Sequence, residues 1–379
     1  MKIVVALDKF KGSLTAPAAC EIVRNTLLAA HPGAQIIVKP MADGGDGTAD
    51  ALHAALGGEW ISRQVTGPLP EMLVTAKYLW LASEKLAVIE MAQASGLVLL
   101  KPEQRNPLLT TTHGTGELLA DAMRHGAQRI LLGIGGSATV DGGIGMARAG
   151  GWVFWDTDRR LLKLYSGGEL ERIATIEDPA WDPDVKDLLF DEIPIDVLCD
   201  VDNPLCGKHG AAHVFGPQKG ATPAMVEQLD NGLRHLAGIV KTQLGKDILN
   251  VPGAGAAGGL GGGAIAFLNA RLVPGIETVM TASRLAEDLA GADWVITGEG
   301  QFDEQSLHGK VVAGVTALGR KHAVKVAVLA GRVKLSETEW RQAGIEIAQA
   351  ITPATLPTAE AMQRAPELLA AAVGNCRLF

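Results

Sequence analysis

Apolar runs alternate with amphipathic stretches at both ends of the chain. KIVVALD, which begins at Lys2, is a continuous apolar run, as is typical of a strand buried on both faces of a parallel sheet. A helix signal follows it, with Thr15 as the N-cap and Pro17 in the first turn. The C-terminal part repeats this rhythm in ADWVITGEG, HGKVVAGVTALGRKH and VKVAVLAGRV. The pattern predicts a doubly wound parallel sheet to which both chain ends contribute.

The middle of the chain has a different pattern. MLVTAKYLWLASEKLAVIEMA carries strand signals with no helix between them, which favours antiparallel pairing. Further along, the sequence predicts a helix at residues 115–125, strands in GWVFWD and IDVLCDVDNPL, and a long amphipathic helix beginning at Thr222 and Pro223. We therefore predict two α/β domains. One is a parallel-sheet domain formed by residues 1–65 and 284–379, and the other is an inserted mixed α/β domain at residues 66–283.

Composition excludes several classes of function. The 379 residues carry a formal net charge of -8, and only 4% are aromatic, so neither a basic stripe nor a stacking surface for nucleic acid is expected. The acidic balance also disfavours binding to an anionic membrane. The opening MKIVVALDKF has too few apolar residues for a signal peptide or a membrane span. Four cysteines form no C-x-x-C pair, and we expect a cytoplasmic protein with unpaired thiols.

Polar loops that contain acids, most of them with glycine as well, follow the predicted strands. They lie at residues 8–13, 43–48, 135–141, 200–203 and 298–303. In open α/β sheets, ligands bind beyond the carboxyl ends of the strands. Glycine lets backbone N–H groups surround phosphate oxygens, carboxylates hold Mg²⁺, and an aspartate can take the proton of an attacking hydroxyl. The composition of these loops therefore favours phosphoryl transfer.

A dinucleotide fingerprint is the main alternative. GIGGSA at residues 133–138 matches G-x-G-x-x-A, and Asp156 lies about twenty residues further on, where an acid that binds ribose could stand. Against it, the next stretch is too rich in glycine for a good crossover helix, and Asp141 would place negative charge beside a pyrophosphate. GAGAAGG at residues 253–259 also matches, but it follows the polar segment KDILNVP. An NAD-dependent oxidoreductase and a non-catalytic module that binds a phosphorylated metabolite both stay open.

Several nucleotide-binding motifs are absent, which limits the enzyme classes to which the chain could belong. The chain has no G-x-x-x-x-G-K-[ST], H-R-D or D-F-G motif, which excludes P-loop enzymes and relatives of protein kinases. His113 precedes a predicted helix, where a loop or capping role is favoured over catalysis.

Taken together, these loops resemble those of the type-1 glycerate kinase family. The resemblance runs in order along nearly the whole chain, in LDKFKGSLTA, MADGGDGT, IEMAQASGL, RNPLLTTTHGTGEL, LGIGGSATVDGG, CDVDNPLCG, FGPQKGA, GAGAAGGLGGG and TGEGQFDEQSLHGK. It implies a flavodoxin-like (Rossmann-like) domain and an inserted domain, with the active site in the cleft between them. It also implies transfer of the γ-phosphoryl group of ATP, with Mg²⁺, to the 2-hydroxyl of D-glycerate. A kinase of another small hydroxy acid is an alternative, and a homo-oligomer is left open.

The resemblance places many of these residues at the family's motif positions, and their individual roles are our hypotheses. Asp200, with Asp202 nearby, is assigned as the base for the substrate hydroxyl, and Lys11 joins it in catalysis. Lys11 and Ser13 would hold the glycerate carboxylate or the transferred phosphate. The remaining residues expected to bind substrate are Asp43, Gly44, Gly45 and Asn203. Those expected to bind phosphate or nucleotide are Gly135, Gly136, Ser137 and Lys310, with Asp141 standing near the bound anion. Those expected to bind the metal are Asp46, Glu299 and Asp303.

The chain departs from the family pattern at four positions. Lys9 stands where serine is common, and Arg332 where a small residue is usual. Asp46 replaces glutamate, which keeps a metal ligand but shortens its reach. Val140 replaces asparagine, so that a loop amide is expected to be lost beside Ser137 and Asp141. These departures bear more on the identity of the acceptor molecule than on whether the protein transfers a phosphoryl group.

Overall fold

The computed structural model describes residues 1–178, 193–307 and 310–375. Its strands are β1 (Lys2–Leu7), β2 (Gln35–Val38), β3 (Glu59–Thr66), β4 (Leu73–Leu81), β5 (Leu86–Glu90), β6 (Arg129–Gly133), β7 (Val153–Trp155), β8 (Thr175–Glu177), β9 (Ile195–Leu198), β10 (Arg271–Val273), β11 (Trp294–Phe302), β12 (Lys325–Val333) and β13 (Ile347–Ala350). Its α-helices are α1 (Ala16–Ala30), α2 (Thr48–Leu56), α3 (Ala92–Ser95), α4 (His113–Arg124), α5 (Ile144–Ala149), α6 (Ala211–Phe215), α7 (Pro223–Leu244), α8 (Ala256–Leu268), α9 (Gly275–Ala282), α10 (Leu285–Leu289), α11 (Val311–Lys321), α12 (Glu337–Gln342), α13 (Thr358–Gln363) and α14 (Ala365–Asn375).

The chain divides into two compact units. The terminal unit comprises Met1–Asp43, Gly47–Gly57 and Pro274–Phe379. The central unit comprises Gly44–Asp46 and Gly58–Val273.

The terminal unit contains a five-stranded sheet in the order β13-β12-β11-β1-β2, and every neighbouring pair in it is parallel. Numbered within this sheet, the order is 2-1-3-4-5, which is that of flavodoxin-like folds. Buried residues of β1 and β11 pack with Val23 and Leu27, which lie one turn apart on α1. Thr15 caps α1 by accepting a hydrogen bond from the N–H of Ala18. The predicted parallel sheet formed by both chain ends is confirmed.

The central unit contains a six-stranded mixed sheet in the order β10-β9-β6-β5-β4-β3. β10, β9, β6 and β5 run parallel, whereas β4 is antiparallel to both β5 and β3. One core packs against this sheet and includes Leu118 and Leu260. A second core surrounds α7, whose residues Leu229, Leu233 and Leu236 are fully buried. The inserted mixed α/β domain and the predicted antiparallel pairing are both confirmed.

The ends of the units differ from the predicted domain boundaries. β3 pairs with β4 along its whole length, so residues 59–65 join the mixed sheet and not the parallel one. At the other junction the change of unit falls between Val273 and Pro274, before the predicted residue 284. Strand partners are chosen by contacts distant in sequence, and the local pattern of β3 does not reveal them.

Two further expectations concern thiols and membranes. Cys20, Cys199 and Cys206 are free thiols, and Cys376 lies outside the described residues. Within residues 1–178, 193–307 and 310–375, no helix combines the length and apolar character needed to cross a bilayer.

Candidate functional site

Strands β5, β6 and β9 end at the same edge of the mixed sheet in the central unit. Gly133 is the register partner of both Glu90 and Leu198, the last residues of the neighbouring strands. Because these strands are parallel, the chain leaves all three at one edge. The loop that contains residues 135–137 and the loop that contains Asp200 therefore begin side by side, as expected for a ligand site at strand ends.

Residues 44–46 pack directly on the loop that follows β6. A Cβ atom on Gly135 would lie 2.8 Å from the Cα atom of Gly45, and one on Gly136 would lie 2.6 Å from Oδ1 of Asp46. Gly136 also has a φ of +73°, which disfavours other residues. Close packing at both positions and the left-handed backbone at Gly136 thus explain why glycine is found here. The same packing places Asp46 beside Gly136.

The dinucleotide alternative lacks its structural context. In that motif the glycines open a helix directly after a strand, but here α5 begins only at Ile144. The segment before residues 253–259 contains no strand in the described chain after α7 ends at Leu244. Asp156 instead accepts hydrogen bonds from the N–H groups of Asp158 and Arg160 at 2.9 and 2.8 Å, which is a local turn.

Lys219 contacts the same loop and was not predicted. It is only 2% exposed, and its Nζ donates hydrogen bonds to Ser137 Oγ at 2.6 Å and to the carbonyl oxygen of Thr139 at 2.7 Å. Burial lowers the pKa of Lys219 to about 7, and the negative charge of Asp141 opposes this shift. The only sequence signal was the motif FGPQKGA, which contains the lysine but does not show where its side chain points.

Asp141 has a structural role. It is fully buried, and its carboxylate accepts hydrogen bonds from both N–H and Oγ1 of Thr112 at 2.7 Å and from the N–H of Gly143 at 3.0 Å. Burial raises the pKa of Asp141, and the hydrogen bonds from Thr112 and Gly143 oppose the rise. Because its oxygens already accept these hydrogen bonds, Asp141 holds the loop together, and its place near a bound anion stays a prediction. Sequence reasoning also missed Thr112, its partner.

The neighbouring positions have local roles. His113 Nδ1 lies 3.2 Å from the carbonyl oxygen of Gly145, in keeping with the loop or capping role favoured by the sequence. Val140 is fully buried in the core around α7. This buried position explains why residue 140 is apolar in this chain.

The loop after β9 contains the exposed Asp200, and hydrogen bonds of Asn203 stabilise its conformation. Asp200 is exposed and stands two residues beyond the end of β9. Asn203 Nδ2 donates to the carbonyl oxygen of His209 at 2.8 Å, and the Asn203 carbonyl accepts from the N–H of Gly255 at 3.0 Å. The Asn203 side chain thus holds its own loop in place.

In the terminal unit, acids collect at the ends of β1 and β2 and within β11. The N–H of Asp8 donates to the carbonyl oxygen of Gly298 at 2.9 Å, so Asp8, directly after β1, lies beside the part of β11 that contains Glu299. Burial raises the pKa of Asp8 to about 7, aided by repulsion from Asp43 and Glu299, while the charge and N–H of Lys9 act against it. Asp8 was not predicted as a site residue. Only its place in the strand-end loop could have suggested it.

Glu299 suits a cation, whereas Asp303 is already bonded locally. Oε1 of Glu299 is buried and has no hydrogen-bond partner in the described part of the chain, and burial raises the pKa of this carboxyl. Asp303 accepts from Gln301 Nε2 at 2.6 Å and from the N–H of Gln305 at 3.1 Å, and these bonds hold its pKa below the usual value. Glu299 therefore fits the predicted metal role better than Asp303 does.

The donor set fits a partly hydrated magnesium ion. Among the described residues, no group of three or more His, Cys, Asp or Glu side chains is placed to hold a metal ion alone. Mg²⁺ usually binds proteins through one or two carboxylates and completes its octahedron with waters and substrate phosphates. The unpaired oxygen of Glu299 matches this mode in the terminal unit. Asp46, the third predicted ligand, belongs to the central unit and is exposed.

The remaining predicted residues of the terminal unit lie in loops. Lys11 is exposed, and Ser13 Oγ donates to the carbonyl oxygen of Phe10 at 2.9 Å, which closes the turn after β1. Lys310 caps α11, and its Nζ lies 3.3 Å from Oε1 of Gln305. Among the departures from the family pattern, Arg332 donates to Thr358 Oγ1 at 3.1 Å.

Asp8→Asn is expected to stabilise the metal-free protein at alkaline pH. Because the folded-state pKa of about 7 lies above the ordinary aspartate value of 3.8, the stability from protonated Asp8 is complete below about pH 4. It is lost as the pH rises through about 7. The resulting penalty reaches at most about 4 kcal/mol, at about 1.4 kcal/mol per pKa unit. Urea unfolding in EDTA at about pH 4.5 and about pH 8.5 measures it.

Glu304→Gln, which neutralises an exposed acid of the same unit, is the matched control and should show no such pH-dependent gain. Equal stability of Asp8→Asn and wild type at about pH 8.5 would contradict the raised pKa.

The chain is similar to known glycerate kinases over nearly its whole length. The profile of the glycerate kinase family matches residues 3–377. A glycerate kinase of Halalkalibacterium halodurans is 45% identical over 379 residues, covering 98% of this chain and 96% of that protein. A glycerate 2-kinase of Escherichia coli is 45% identical over 346 residues, covering 91% and 89%. A crystal structure from Salmonella typhimurium LT2, assigned as a glycerate kinase 2, superposes with a TM-score of 0.86 at 39% identity, covering 99% of this chain and 96% of that one.

Proposed function

This chain belongs to the glycerate kinase family, and on that premise we propose that it is an ATP-dependent D-glycerate 2-kinase. Members of this family are phosphotransferases with an alcohol acceptor. The reaction is transfer of the γ-phosphoryl group of ATP to the 2-hydroxyl of D-glycerate, which yields 2-phosphoglycerate and ADP. The 45% identity to the glycerate 2-kinase of Escherichia coli supports the choice of hydroxyl.

One structural observation supports this function best. The glycine loop at residues 135–137 leaves the same sheet edge as Asp200, and Lys219 supplies a buried cation to it. Backbone N–H groups, a hydroxyl and a positive charge together suit phosphoryl or carboxylate oxygens. An exposed carboxylate at the neighbouring strand end suits proton transfer from an acceptor hydroxyl.

Each residue has its own proposed role in the phosphoryl transfer. Asp200 takes the proton of the glycerate 2-hydroxyl as that oxygen forms its bond to the γ-phosphorus, and the bond to the bridging oxygen of ADP breaks. Gly135, Gly136 and Ser137 donate hydrogen bonds to anionic oxygens, and Lys11 offsets developing negative charge. Glu299 is the residue that best fits Mg²⁺ in the terminal unit. Bound Mg²⁺ would neutralise phosphate charge.

Other predicted residues complete the proposal. Asp46 and Asp303 are further proposed metal ligands, and Lys310 a proposed phosphate contact. Ser13, Asp43, Gly44, Gly45 and Asn203 are proposed to position the substrate. A cytoplasmic location and a homo-oligomer stay predictions.

Phosphorus NMR of the reaction products tests the function. We expect D-glycerate, ATP and Mg²⁺ to give 2-phosphoglycerate and ADP, with the product lost in EDTA and recovered on adding Mg²⁺. A signal of 3-phosphoglycerate would contradict the assigned hydroxyl. Turnover of a different small hydroxy acid, with none of glycerate, would establish the alternative acceptor. Absence of ADP with every hydroxy acid, together with binding of NAD in a titration, would favour the oxidoreductase.

A further inference from the structure

Lys219 is a buried cation that projects into the loop after β6. It ends the 3-10 helix Pro217–Lys219, and Gly220, with a φ of +91°, turns the chain away after it. The side chain is 2% exposed, and its Nζ reaches Ser137 Oγ and the carbonyl oxygen of Thr139. In the part of the chain that the structure describes, no carboxylate lies within ion-pair distance of Nζ. Burying an ammonium group without such a partner is costly, which lowers the pKa of Lys219, and an anion bound at the glycine loop would favour its charged form.

The loop that Lys219 contacts is held rigidly. The N–H of Leu97 donates to the carbonyl oxygen of Gly136 at 2.8 Å, and the N–H of Ala138 donates to the carbonyl oxygen of Ser95 at 2.9 Å. A serine hydroxyl has one donor and two acceptor positions. Because Ser137 Oγ accepts from Lys219, its O–H is left to donate, and the ammonium group strengthens it as a donor.

The segment beside Lys219 packs against the backbone of Arg105, which is distant in sequence. The carbonyl oxygen and Cβ of Arg105 contact the position that a Cβ on Gly220 would occupy, so the two loops touch. Nε of Arg105 is buried and has no hydrogen-bond partner within the described ranges. The acid that acts electrostatically on Lys219 is Asp141, whose carboxylate is engaged by Thr112 and Gly143. Within the described ranges, the charged form of Lys219 is therefore not neutralised by a direct ion pair.

We propose that Lys219 is a positioning residue that orients the Ser137 hydroxyl and supplies the charge with which the turn at Gly136 and Ser137 receives an anionic oxygen of a substrate. The oxygen belongs to a phosphate of the nucleotide or to the carboxylate of the hydroxy acid, which share this chemistry. The inference deepens the proposed kinase function and rests on it for its kinetic readout.

Steady-state kinetics of Lys219→Met and Ser137→Ala test the proposal. Each variant is expected to raise the KM of one substrate, ATP or D-glycerate, by about 10- to 100-fold, the cost of a lost hydrogen bond to a charged group. The substrate affected identifies which anion the turn receives. Because Lys219 acts through Ser137, the double variant should lose little more than the worse single variant.

Lys246→Met is the matched control. Its Nζ donates to the carbonyl oxygens of Ile265 and Ala266 at 3.1 and 2.8 Å, so that removing it also frees partly buried carbonyls of the same unit. We expect a lowered melting temperature with unchanged kinetic constants. If Lys219→Met behaves in the same way, the lysine is structural and the proposal is overturned. Equal weakening of both substrates with a lowered melting temperature overturns it too.

A binding measurement separates this proposal from the kinase function. Calorimetric titration of wild type and variants with ATP, and separately with D-glycerate, needs no turnover. A wild type that binds one anion about tenfold more tightly than Ser137→Ala supports the site, even if glycerate is not phosphorylated. An active wild type whose affinities are unchanged in both Ser137→Ala and Lys219→Met rejects the site and leaves the function standing. Ser137→Ala also decides the matter where Lys219→Met does not fold, since the buried lysine keeps its bond to Thr139.

Discussion

Asp200→Asn is expected to lower kcat by about 10²- to 10⁴-fold, the range lost when a general base is removed. The substitution keeps the size of the side chain but cannot accept the proton of the acceptor hydroxyl. Asp200 is exposed beyond the end of β9, so the melting temperature should stay close to that of the wild type. A coupled assay of ADP release, run alongside thermal unfolding, measures both.

Asp202→Asn is the control for this experiment, because Asp202 is an exposed acid of the same loop. It is expected to change kcat by less than about tenfold, since an exposed charge nearby has only a screened effect. A large loss in Asp202→Asn with an active Asp200→Asn would transfer the role of base to Asp202. Full activity in both variants would remove this loop from the proton transfer.

Asp141→Ala is expected to destabilise the protein by on the order of 3–6 kcal/mol, because three buried donors lose their acceptor. These donors are the N–H and hydroxyl of Thr112 and the N–H of Gly143. They join the start of α4 to the segment before α5, so the whole central unit should be affected. Chemical unfolding measured by circular dichroism gives the change in free energy.

Two variants make this stability test specific. Asp156→Ala removes an acid that also accepts backbone N–H bonds, but in a turn between strands β7 and β8, and it should cost much less. Asp141→Asn keeps the shape yet places an amide donor among the donors, and it should be destabilising as well. An unchanged free energy of unfolding in Asp141→Ala would show that the carboxylate does not hold these segments.

The chain's pattern determined the architecture because short-range periodicity reports burial directly. Apolar runs such as KIVVALD predicted strands buried on both faces, and the parallel sheet formed by both chain ends is confirmed. Hydroxyl residues before proline predicted the starts of α1 and α7, where Thr15 and Thr222 cap the helices. Family membership was also evident from the sequence, since the order of motifs along the chain can be read without knowing the fold.

The tertiary structure alone decided what individual polar residues do. Asp141 and Asp200 both lie in polar, acid-containing loops that follow strands, yet one is fully buried among donors and the other is exposed. Lys219 and Ser137 are 82 positions apart in the sequence, and only folding brings their side chains into contact. A sequence pattern records which side chains are available and which face of an element they occupy. It does not record the long-range contacts and burial that set a group's partners and its pKa, and at this site those contacts separate structural residues from candidates for chemistry.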